Sequence, residues 1–428
     1  MKEKGIFAFI CSNKFAKAKY GEKLRKLILS NQLKIYNDFT GIKIFKETSV
    51  DTCVIQIKKE FMENNQILVN DDYLMNQNRL DSTSFTFNPP EVLDLREKIF
   101  KQGTIIKNLD IQINYGIKTG FNKAFIIDEE TKNKLIAEDS NNEEIIKPLL
   151  RGKDIQKWKI NYKNFYLIFT RRGININKYP IIKDYLSIYK EDLTPKSKNS
   201  NKTSKGRKPG PYKWYEIQDN VAYFSSFEKE KIIYSEISKE PSFTLDSKNY
   251  FLGNTAYILN SNSINLKYLL GLLNSNVLFW IFKLVCYQLG SNGFRFIKIF
   301  VEQLPIIIDT DNYFYIIKIV EDILDLNYKI KIHEENFLNI LDKYNISKLS
   351  KKLIEFEKLT EKEFIEEIKN KHENFEKIDV LIENFNRICF EINELKSQIN
   401  IKTISLNKCV YSIYNLSEEE IKIIENDL

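Results

Sequence analysis

The apolar residues of this chain change their spacing near residue 309, and this change divides the chain into two parts that must fold differently. Before it, short runs rich in β-branched and aromatic residues alternate with turn residues, as at residues 165–170, 231–235 and 255–259. After it, apolar residues recur every three or four positions in long Glu/Lys-rich segments, as in amphipathic helices. A chain of 428 residues with this division is predicted to have two or three domains, each with its own core.

The first 60 residues are predicted to form part of a sheet. Residues 5–11, 34–39 and 52–57 are short apolar or alternating runs, as strands are. Residues 20–31 carry apolar side chains at helical spacing. Strand, helix, strand and strand in this order are typical of the end of an α/β sheet domain, which alone is a poor folding unit.

The next segment is polar. Residues 62–84 are rich in Asn and Asp and are predicted to be a linker or an extended crossing. A helix is predicted to follow, because Asn88 suits an N-cap and two prolines occupy the first helical positions. In the last part, two helical arms are predicted to meet near residues 345–349, and Ser417 with Glu420 predicts a capping box at the start of a final helix.

Positive charge is concentrated before residue 310. Residues 1–310 contain 48 basic and 34 acidic side chains, whereas residues 311–428 contain 17 and 24. Residues 101–300 alone carry a net charge of +13. Codon bias in an A/T-rich genome explains part of the lysine excess, but such bias acts along the whole chain. The regional difference therefore predicts that a polyanion binds this central part.

The composition argues against several classes of protein. Five scattered cysteines without a Cys-x-x-Cys pair, and only two histidines, give almost no support to a metal site or a disulfide framework. The longest apolar stretch, residues 269–286, is interrupted by polar residues, which argues against a membrane span. We expect a soluble, cytoplasmic protein without a membrane partner.

Three motifs in the central part, taken in order, resemble a known family. They are Ile-Asn-Tyr-Gly-Ile-Lys-Thr-Gly-Phe-Asn-Lys-Ala-Phe (residues 113–125), Glu-Ile-Ile-Lys-Pro-Leu-Leu-Arg-Gly-Lys-Asp (144–154) and Phe-Arg-Phe-Ile-Lys-Ile-Phe-Val-Glu-Gln-Leu-Pro (294–305). This order resembles the TaqI-like target recognition domain at the C-terminal end of adenine-specific DNA methyltransferases. The resemblance implies a duplex DNA partner, and S-adenosylmethionine as the cofactor of the complete enzyme.

The beginning of the chain also resembles this family. Residues 5–25 are similar to the strand and helix that follow the catalytic motif, and residues 44–55 are similar to a later motif whose aromatic residue packs against a flipped adenine. By this match Phe45 would stack on the flipped base, which loses its stacking in the duplex. Spacing alone favours Phe45 as an ordinary core side chain in a strand-turn-strand.

Two parts of the family pattern are missing from this sequence. It contains no glycine-rich cofactor loop, and its Asn88-Pro-Pro-Glu91 differs from the catalytic Asn-Pro-Pro-Tyr in residue type and in position. We therefore predict no catalytic, metal-binding or cofactor-binding residue, and no methyl transfer by this chain alone. The resemblance implies a remnant of a class I methyltransferase α/β sheet (1–62), a linker and helix (63–104), a mixed α+β, mostly β, target recognition domain (105–308) and an α-helical C-terminal region (309–428).

Eleven residues are predicted to contact DNA. They fall into three groups: hydrogen-bond donors in a glycine turn, the scarce arginines together with Lys153, and the cations of residues 195–213. The last segment contains no acidic residue and is predicted to be mobile when free. The residues are Lys118, Thr119, Asn122, Arg151, Lys153, Arg171, Arg172, Lys205, Arg207, Lys208 and Arg295. Alternatively, the glycine turn is an ordinary hairpin and the basic segment is a solvated loop without a partner.

Three functions remain open at this point. The first is the C-terminal part of an adenine-specific DNA methyltransferase of a fused restriction-modification type, which needs an upstream segment or another chain for catalysis. The second is a specificity subunit that acts with a separate catalytic chain. The third is a coiled-coil scaffold with incidental positive charge, which predicts no affinity for duplex DNA.

Overall fold

The computed structural model describes residues 2–45, 47, 50–197, 205–286, 289, 293–344, 346, 349–369 and 378–428. It is a mixed α/β structure with a helical C-terminal region. Its strands are β1 (Ile6–Ser12), β2 (Gln32–Asp38), β3 (Thr52–Lys58), β4 (Gln66–Val69), β5 (Tyr73–Asn76), β6 (Thr104–Ile105), β7 (Ile111–Tyr115), β8 (Ile126–Ile127), β9 (Ile146–Leu150), β10 (Ile155–Gln156), β11 (Lys159–Ile160), β12 (Phe165–Ile168), β13 (Lys231–Ser235), β14 (Ile237–Ser238), β15 (Thr244–Asp246), β16 (Phe251–Leu252), β17 (Ala256–Ser261), β18 (Phe294–Arg295) and β19 (Pro305–Ile306).

The α-helices lie between and after these strands. They are α1 (Glu22–Leu29), α2 (Pro90–Gln102), α3 (Asn122–Phe125), α4 (Glu129–Glu138), α5 (Pro180–Ser187), α6 (Lys190–Leu193), α7 (Leu266–Leu273), α8 (Asn276–Val285), α9 (Lys298–Val301), α10 (Tyr313–Lys343), α11 (Lys351–Ile354), α12 (Glu361–Lys369), α13 (Ile378–Ile413) and α14 (Glu418–Asn426).

The N-terminal sheet has the strand order β1-β3-β2-β4-β5. Strand β3 is antiparallel to both of its neighbours, so β1 and β2 run in the same direction. Cys53, Ile55 and Ile57 of β3 face the core beneath α1, as their alternation predicts. The predicted strand, helix, strand and strand are all present.

The prediction of a linker over residues 62–84 is wrong, because this segment adds β4 and β5 to the sheet. The two strands form a hairpin in which Val69 pairs with Tyr73. Asn70 and Asp71 have φ of 53° and 55°, a left-handed conformation that these two residue types tolerate better than most. Asn70 and Asp71, two of the polar residues that suggested a linker, thus form the turn of a hairpin.

Helix α2 connects the N-terminal sheet to the rest of the molecule. It begins one residue later than predicted, with Pro89 rather than Asn88 at the N-cap and without a side-chain cap. Leu93 packs into the core of the N-terminal sheet, whereas Leu95 and Ile99 pack into the next core. One helix is therefore shared by two cores.

The central region contains two four-stranded sheets, of order β16-β9-β12-β8 and β15-β13-β17-β7. The second sheet lies between two cores. On β17, Tyr257 and Leu259 contact one core, with α7 and α8, while Ala256 and Ile258 contact the other. Because packed side chains cover both faces of this sheet, it forms a rigid layer between the two cores of the central region.

The C-terminal region is a pair of long helices. Lys402 of α13 binds Asp322 of α10 at 2.7 Å, and Phe337 of α10 contacts Phe385 of α13, so the two helices run antiparallel. Their near ends pack on α7, and their far ends enclose a separate core with α11 and α12. The predicted break falls between α10 and α11, where residues 345, 347 and 348 lie outside the described residues. The capping box of Ser417 and Glu420 is confirmed.

Within the described ranges, no single helix has the length and apolar composition needed to cross a membrane, and one bent pair, Leu266–Leu273 with Asn276–Val285, passes that test only in combination.

Candidate nucleic-acid interface

Three chain segments meet at the turn that leads into β17. Gly253 N–H donates to Leu150 O at 2.9 Å, and Gly116 N–H donates to Ala256 O at 2.7 Å. Glu236 N–H donates to Thr255 O at 2.9 Å. The ends of β7, β9 and β13 are thereby fixed around residues 253–256. We call this region, with residues 115–118, 151–154, 235–237 and 294–295, the end-of-sheet surface.

Two glycines allow this close packing. A Cβ atom on Gly116 would lie 2.1 Å from Gly253 O, and one on Gly152 would lie 2.3 Å from Thr255 O. Both distances are too short for any side chain, so each position requires glycine. At Gly116 the group that approaches closely is the protein's own backbone.

Arg151 and Lys153 lie on the turn after β9. Nε and Nη2 of Arg151 bind the buried Asp154 at 2.8 and 2.9 Å, and its guanidinium lies 4.0 Å from the centroid of the Phe165 ring. Lys153 is exposed, with no ion pair among the described residues. The turn therefore holds its arginine and leaves its lysine available to a partner.

Arg295 is oriented by a carboxylate. Its Nε donates to Glu236 Oε1 at 2.9 Å, and its Nη2 lies 2.7 Å from the same oxygen. The Arg295 side chain is 51% exposed and the Glu236 side chain 18% exposed. The backbone of both is fixed, because β14 pairs with β18 and Phe296 N–H donates to Glu236 O at 2.7 Å.

A second group of loops continues from residue 117. Lys118 N–H donates to Asp219 Oδ2 at 3.0 Å, and Gln218 N–H donates to Thr119 O at 3.2 Å. Thr119 is buried and its hydroxyl donates to Asn122 Oδ1 at 2.7 Å, whereas the Lys118 side chain is exposed. We call residues 117–122, 171–173 and 205–219 the loop cluster. Burial raises the pKa of Asp219, against the hydrogen bond from Lys118.

Arg207 is inside the loop cluster rather than on its surface. It is 3% exposed, and its nitrogens donate to backbone carbonyls over 2.7–3.2 Å. The acceptors are the carbonyl oxygens of Leu193, Thr119, Glu216, Lys213 and Trp214. Desolvation lowers the pKa of Arg207 to about 10, so it stays charged at neutral pH. The structure assigns Arg207 to hold the loops together, which corrects the expectation that it contacts DNA.

The other basic residues of the loop cluster differ in their contacts and exposure. Arg172 Nη2 donates to Gln218 O at 2.7 Å, and the exposed Arg171 lies over the Phe224 ring at 4.6 Å. Lys205 binds Glu191 at 3.0 Å, with both side chains exposed. Lys208 is exposed. The part of the basic segment at residues 198–204 lies outside the described residues, so its predicted mobility remains a prediction.

Phe45 lies in the connection between β2 and β3. Its side chain is 46% exposed, so the alternative that Phe45 is an ordinary core residue is wrong. The connection is held by Asp51, whose backbone carbonyl accepts from Asn13 N–H at 3.2 Å. Nearby, Lys17 donates to Cys286 O at the end of α8 at 3.4 Å. The Phe45 loop therefore leaves the N-terminal sheet at the end that contacts the central region.

The structure thus brings most of the predicted residues together in the end-of-sheet surface and the adjoining loop cluster. Thr119 and Arg207 are buried within the loop cluster, which also corrects the expectation that Thr119 contacts DNA. Sequence reasoning missed Glu236, Asp219 and Asn254, which have no motif of their own. Asn254 is exposed at the crest of the 253–256 turn. The pairing of β13 with β17 brings Glu236 and Asn254 to the predicted residues, and the hydrogen bond from Lys118 N–H does so for Asp219.

Comparison with known proteins gives matches over most of the chain. Residues 147–306 match the family model of the TaqI-like C-terminal specificity domain, and residues 310–410 match a model described as a domain of unknown function, DUF8810. The Type II methyltransferase M.BstVI of Geobacillus stearothermophilus is 22% identical over 316 residues, which cover 65% of this chain and 53% of that protein. The Type II restriction enzyme and methyltransferase RM.Eco57I of Escherichia coli is 22% identical over 327 residues, 65% of this chain and 32% of that protein.

Solved structures give more distant matches. The type IIL restriction-modification enzyme MmeI in complex with DNA aligns with a TM-score of 0.45 and 14% identity, over 90% of this chain and 50% of that one. The type IIG restriction endonuclease BpuSI aligns with a TM-score of 0.34 and 13% identity, over 76% of this chain and 45% of that one. The chain spans about half of the first curated relative and about a third of the second. Residues 147–306 are thus similar to the TaqI-like C-terminal specificity domain, and the chain is homologous to type II methyltransferases such as M.BstVI and RM.Eco57I.

Proposed function

We propose that the chain is the DNA-recognition part of a site-specific adenine DNA methyltransferase of a restriction-modification system. Transfer of a methyl group from S-adenosylmethionine to adenine requires a catalytic half from another chain or an upstream segment. The observation that carries this proposal is the end-of-sheet surface. It holds oriented and free basic side chains on rigid turns, within a region of net charge +13, residues 101–300, that contains most of the specificity-domain match.

The edge strand β1 supports the need for a catalytic half. It pairs only with β3 among the described strands. Ile6, Phe7, Phe9 and Ile10 are between 39% and 63% exposed, and by alternation they lie on both faces of the sheet. A strand that is apolar on both faces is typical of a sheet interior, where layers cover both sides. An open, apolar edge is also a template for pairing with another strand.

Helix α1 and the turn before it also leave an apolar surface exposed. Ile28 and Arg25 face the core of the N-terminal sheet. Tyr20, Leu24 and Leu27, which are three or four residues apart, form a second and exposed apolar stripe on the adjoining turns. Soluble proteins seldom leave such a contiguous apolar surface uncovered. A further layer of structure that covers β1 and α1 accounts for both features.

In this proposal the residues have separate tasks. Lys118, Lys153, Arg171 and Lys208 bind phosphates and fix the register of the duplex, because they are exposed on loops that the core holds. Phe45 stacks on the extruded adenine at the junction of the two parts, where its ring replaces part of the lost base stacking. S-adenosylmethionine supplies the methyl group when the catalytic half binds it.

The glycine turn at residues 116–120 does not fit a site for that cofactor. The candidate glycine turn, Gly116 to Gly120, is filled by protein. A Cβ on Gly116 would meet Gly253, and one on Gly120 would lie 2.7 Å from Gln218 Oε1. No cradle for a nucleoside is left there, and we assign cofactor binding to the catalytic half.

The test uses the purified chain with synthetic duplexes. We expect salt-sensitive duplex binding and no transfer of labelled methyl groups from S-adenosylmethionine. Adding a catalytic half, encoded directly upstream or in a neighbouring frame with Asn-Pro-Pro-Tyr, is expected to restore methyl transfer to adenine. Methyl transfer by the chain alone would contradict the division of labour, and absence of duplex binding would contradict recognition.

A specificity subunit is the second candidate, and one observation favours it. Phe390, Ile401 and Ile404 lie on one side of α13 and are exposed, so the helical arm also offers an apolar surface to a partner. If a catalytic chain binds the arm, substitutions on α13 abolish the complex and substitutions on β1 do not. The split-enzyme proposal expects the opposite result.

A further inference from the structure

Arginines in the central region are held in different ways. Arg207 is buried, Arg172 donates to a backbone carbonyl, Arg171 lies on a ring, and Arg151 is covered by Phe165 on one face. Arg295 alone among them is more than half exposed while a carboxylate binds it. All arginines of this region lie within the described residues.

The Glu236 carboxylate occupies one edge of the Arg295 guanidinium. It accepts from Nε and Nη2 through the single oxygen Oε1. The opposite edge, formed by Nη1 and the outer hydrogen of Nη2, has no partner among the described residues. Two parallel N–H donors therefore face away from Glu236 in a fixed plane.

The backbone beneath this pair is as constrained as the side chains. Glu236 is bonded through its N–H to Thr255 O and through its carbonyl to Phe296 N–H. Arg295 lies directly opposite Ile237 in the pairing of β14 with β18. Held in this way, the guanidinium loses little further freedom when it binds a planar partner.

We propose that Arg295 reads a guanine in the target duplex and that Glu236 is its positioning residue. The inference rests on the proposed function and extends it to a base. Guanine presents O6 and N7 as two acceptors in the major groove, which match the two parallel donors of an arginine edge. Lysine cannot replace arginine here, because an ammonium group meets the groove as a point charge.

The experiment is a selection from a pool of duplexes with a randomised core, carried out with the full chain. The unmodified chain is expected to select a sequence that contains a G:C pair. Arg295→Lys is expected to lose discrimination at that one pair by about tenfold to a hundredfold, with other positions retained. Glu236→Gln keeps one acceptor oxygen and is expected to lose less than Glu236→Ala.

Arg79→Lys is the matched control. Arg79 is also an exposed arginine bound by carboxylates, those of Asp94 and Glu97, but it lies outside the end-of-sheet surface. Its substitution should leave the selected sequence unchanged. Melting temperatures of all variants verify that they fold.

The outcomes separate the two proposals. An unchanged selected sequence for Arg295→Lys would mean that Arg295 and Glu236 form an ordinary surface ion pair. A uniform fall in affinity with the preference intact would make Arg295 a phosphate contact, and this also overturns the inference. If the unmodified chain selects nothing, the proposed function fails, and the guanine assignment fails with it.

Discussion

Two arginines in this protein act as internal cross-links between loops. Arg25, 1% exposed, donates to the carbonyl oxygens of Phe15, Ala18, Ser82 and Thr83. Arg207 does the same for four carbonyls of the loop cluster and for that of Leu193. A planar guanidinium with five donors can satisfy several loop carbonyls that otherwise would be buried without partners. Each arginine thus stabilises an irregular segment that has no strand or helix to satisfy its backbone.

Arg207→Ala is expected to destabilise the protein by more than about 3 kcal/mol, because several buried carbonyls lose their donors at about 1–3 kcal/mol each. Denaturant unfolding measures the change. Lys208→Ala, one residue away and exposed, should change stability by less than about 0.5 kcal/mol. Equal effects of the two substitutions would contradict the assigned role of Arg207.

For single residues, the sequence predicted exposure correctly where local composition determines it. It failed where exposure depends on contacts with distant segments. A basic segment without acids indicates a solvated loop, and for Lys205 and Lys208 that is what the structure shows. Nothing in the segment distinguishes Arg207, whose burial depends on carbonyls from as far away in sequence as Thr119. Phe45 is the converse, since local spacing favoured a core position and the structure exposes it.

Strand β1 is the element whose surroundings are least complete. Its Phe7 and Phe9 stack on each other at 5.6 Å between ring centroids while both remain exposed. Burying one such side chain normally stabilises a folded protein by about 1.5–3 kcal/mol. Covering this edge would therefore contribute favourably to assembly with the proposed catalytic half.

Phe9→Lys is expected to leave the melting temperature of the isolated chain nearly unchanged, since the ring is already exposed. It should abolish association with the catalytic half, measured by analytical ultracentrifugation, because a charge on the edge prevents pairing. Leu74→Lys is the control, as Leu74 is similarly exposed but lies on β5 at the other edge of the sheet. Retained assembly of the Phe9 variant would show that β1 is not the contact.

Periodicity identified the elements with long or regular patterns and missed those defined by a turn. Helices α10 and α12 and the Ser417 capping box follow from local spacing alone. Strands β4 and β5 have only four residues each, so their alternation is too short to detect. The Asn70-Asp71 pair between two apolar runs was the available signal, because it is typical of hairpin turns.

In the whole molecule, the sign of the net charge changes where the fold changes, near residue 310. The basic sheets of the central region carry the surface proposed for DNA, whereas residues 311–428, with net charge −7, form the helical arm. Like charges repel, so the arm disfavours a duplex along its own length. If the chain binds a duplex as proposed, both parts of the chain contribute to where the duplex lies.

Duplex affinity should fall steeply with salt, with a log–log slope of about −0.9 for each phosphate neutralised. If Lys118, Lys153, Arg171 and Lys208 each meet one phosphate, their combined replacement by Gln is expected to reduce the slope by about 3 to 4. Fluorescence anisotropy between 50 and 200 mM salt measures it. Replacing four lysines of the arm instead should leave the slope unchanged, and equal changes would contradict the proposed surface.

The glycine contacts beneath residues 253–256 have a consequence for how such a protein changes its target. Gly116 and Gly152 press on this turn from two sides, so its path is set by backbone atoms that no side-chain substitution at Asn254 alters. The residue at position 254 can therefore change while the backbone of the turn keeps its path. If this turn contacts the duplex as proposed, substitutions at residue 254 are expected to change the preferred DNA sequence without changing the backbone that supports it.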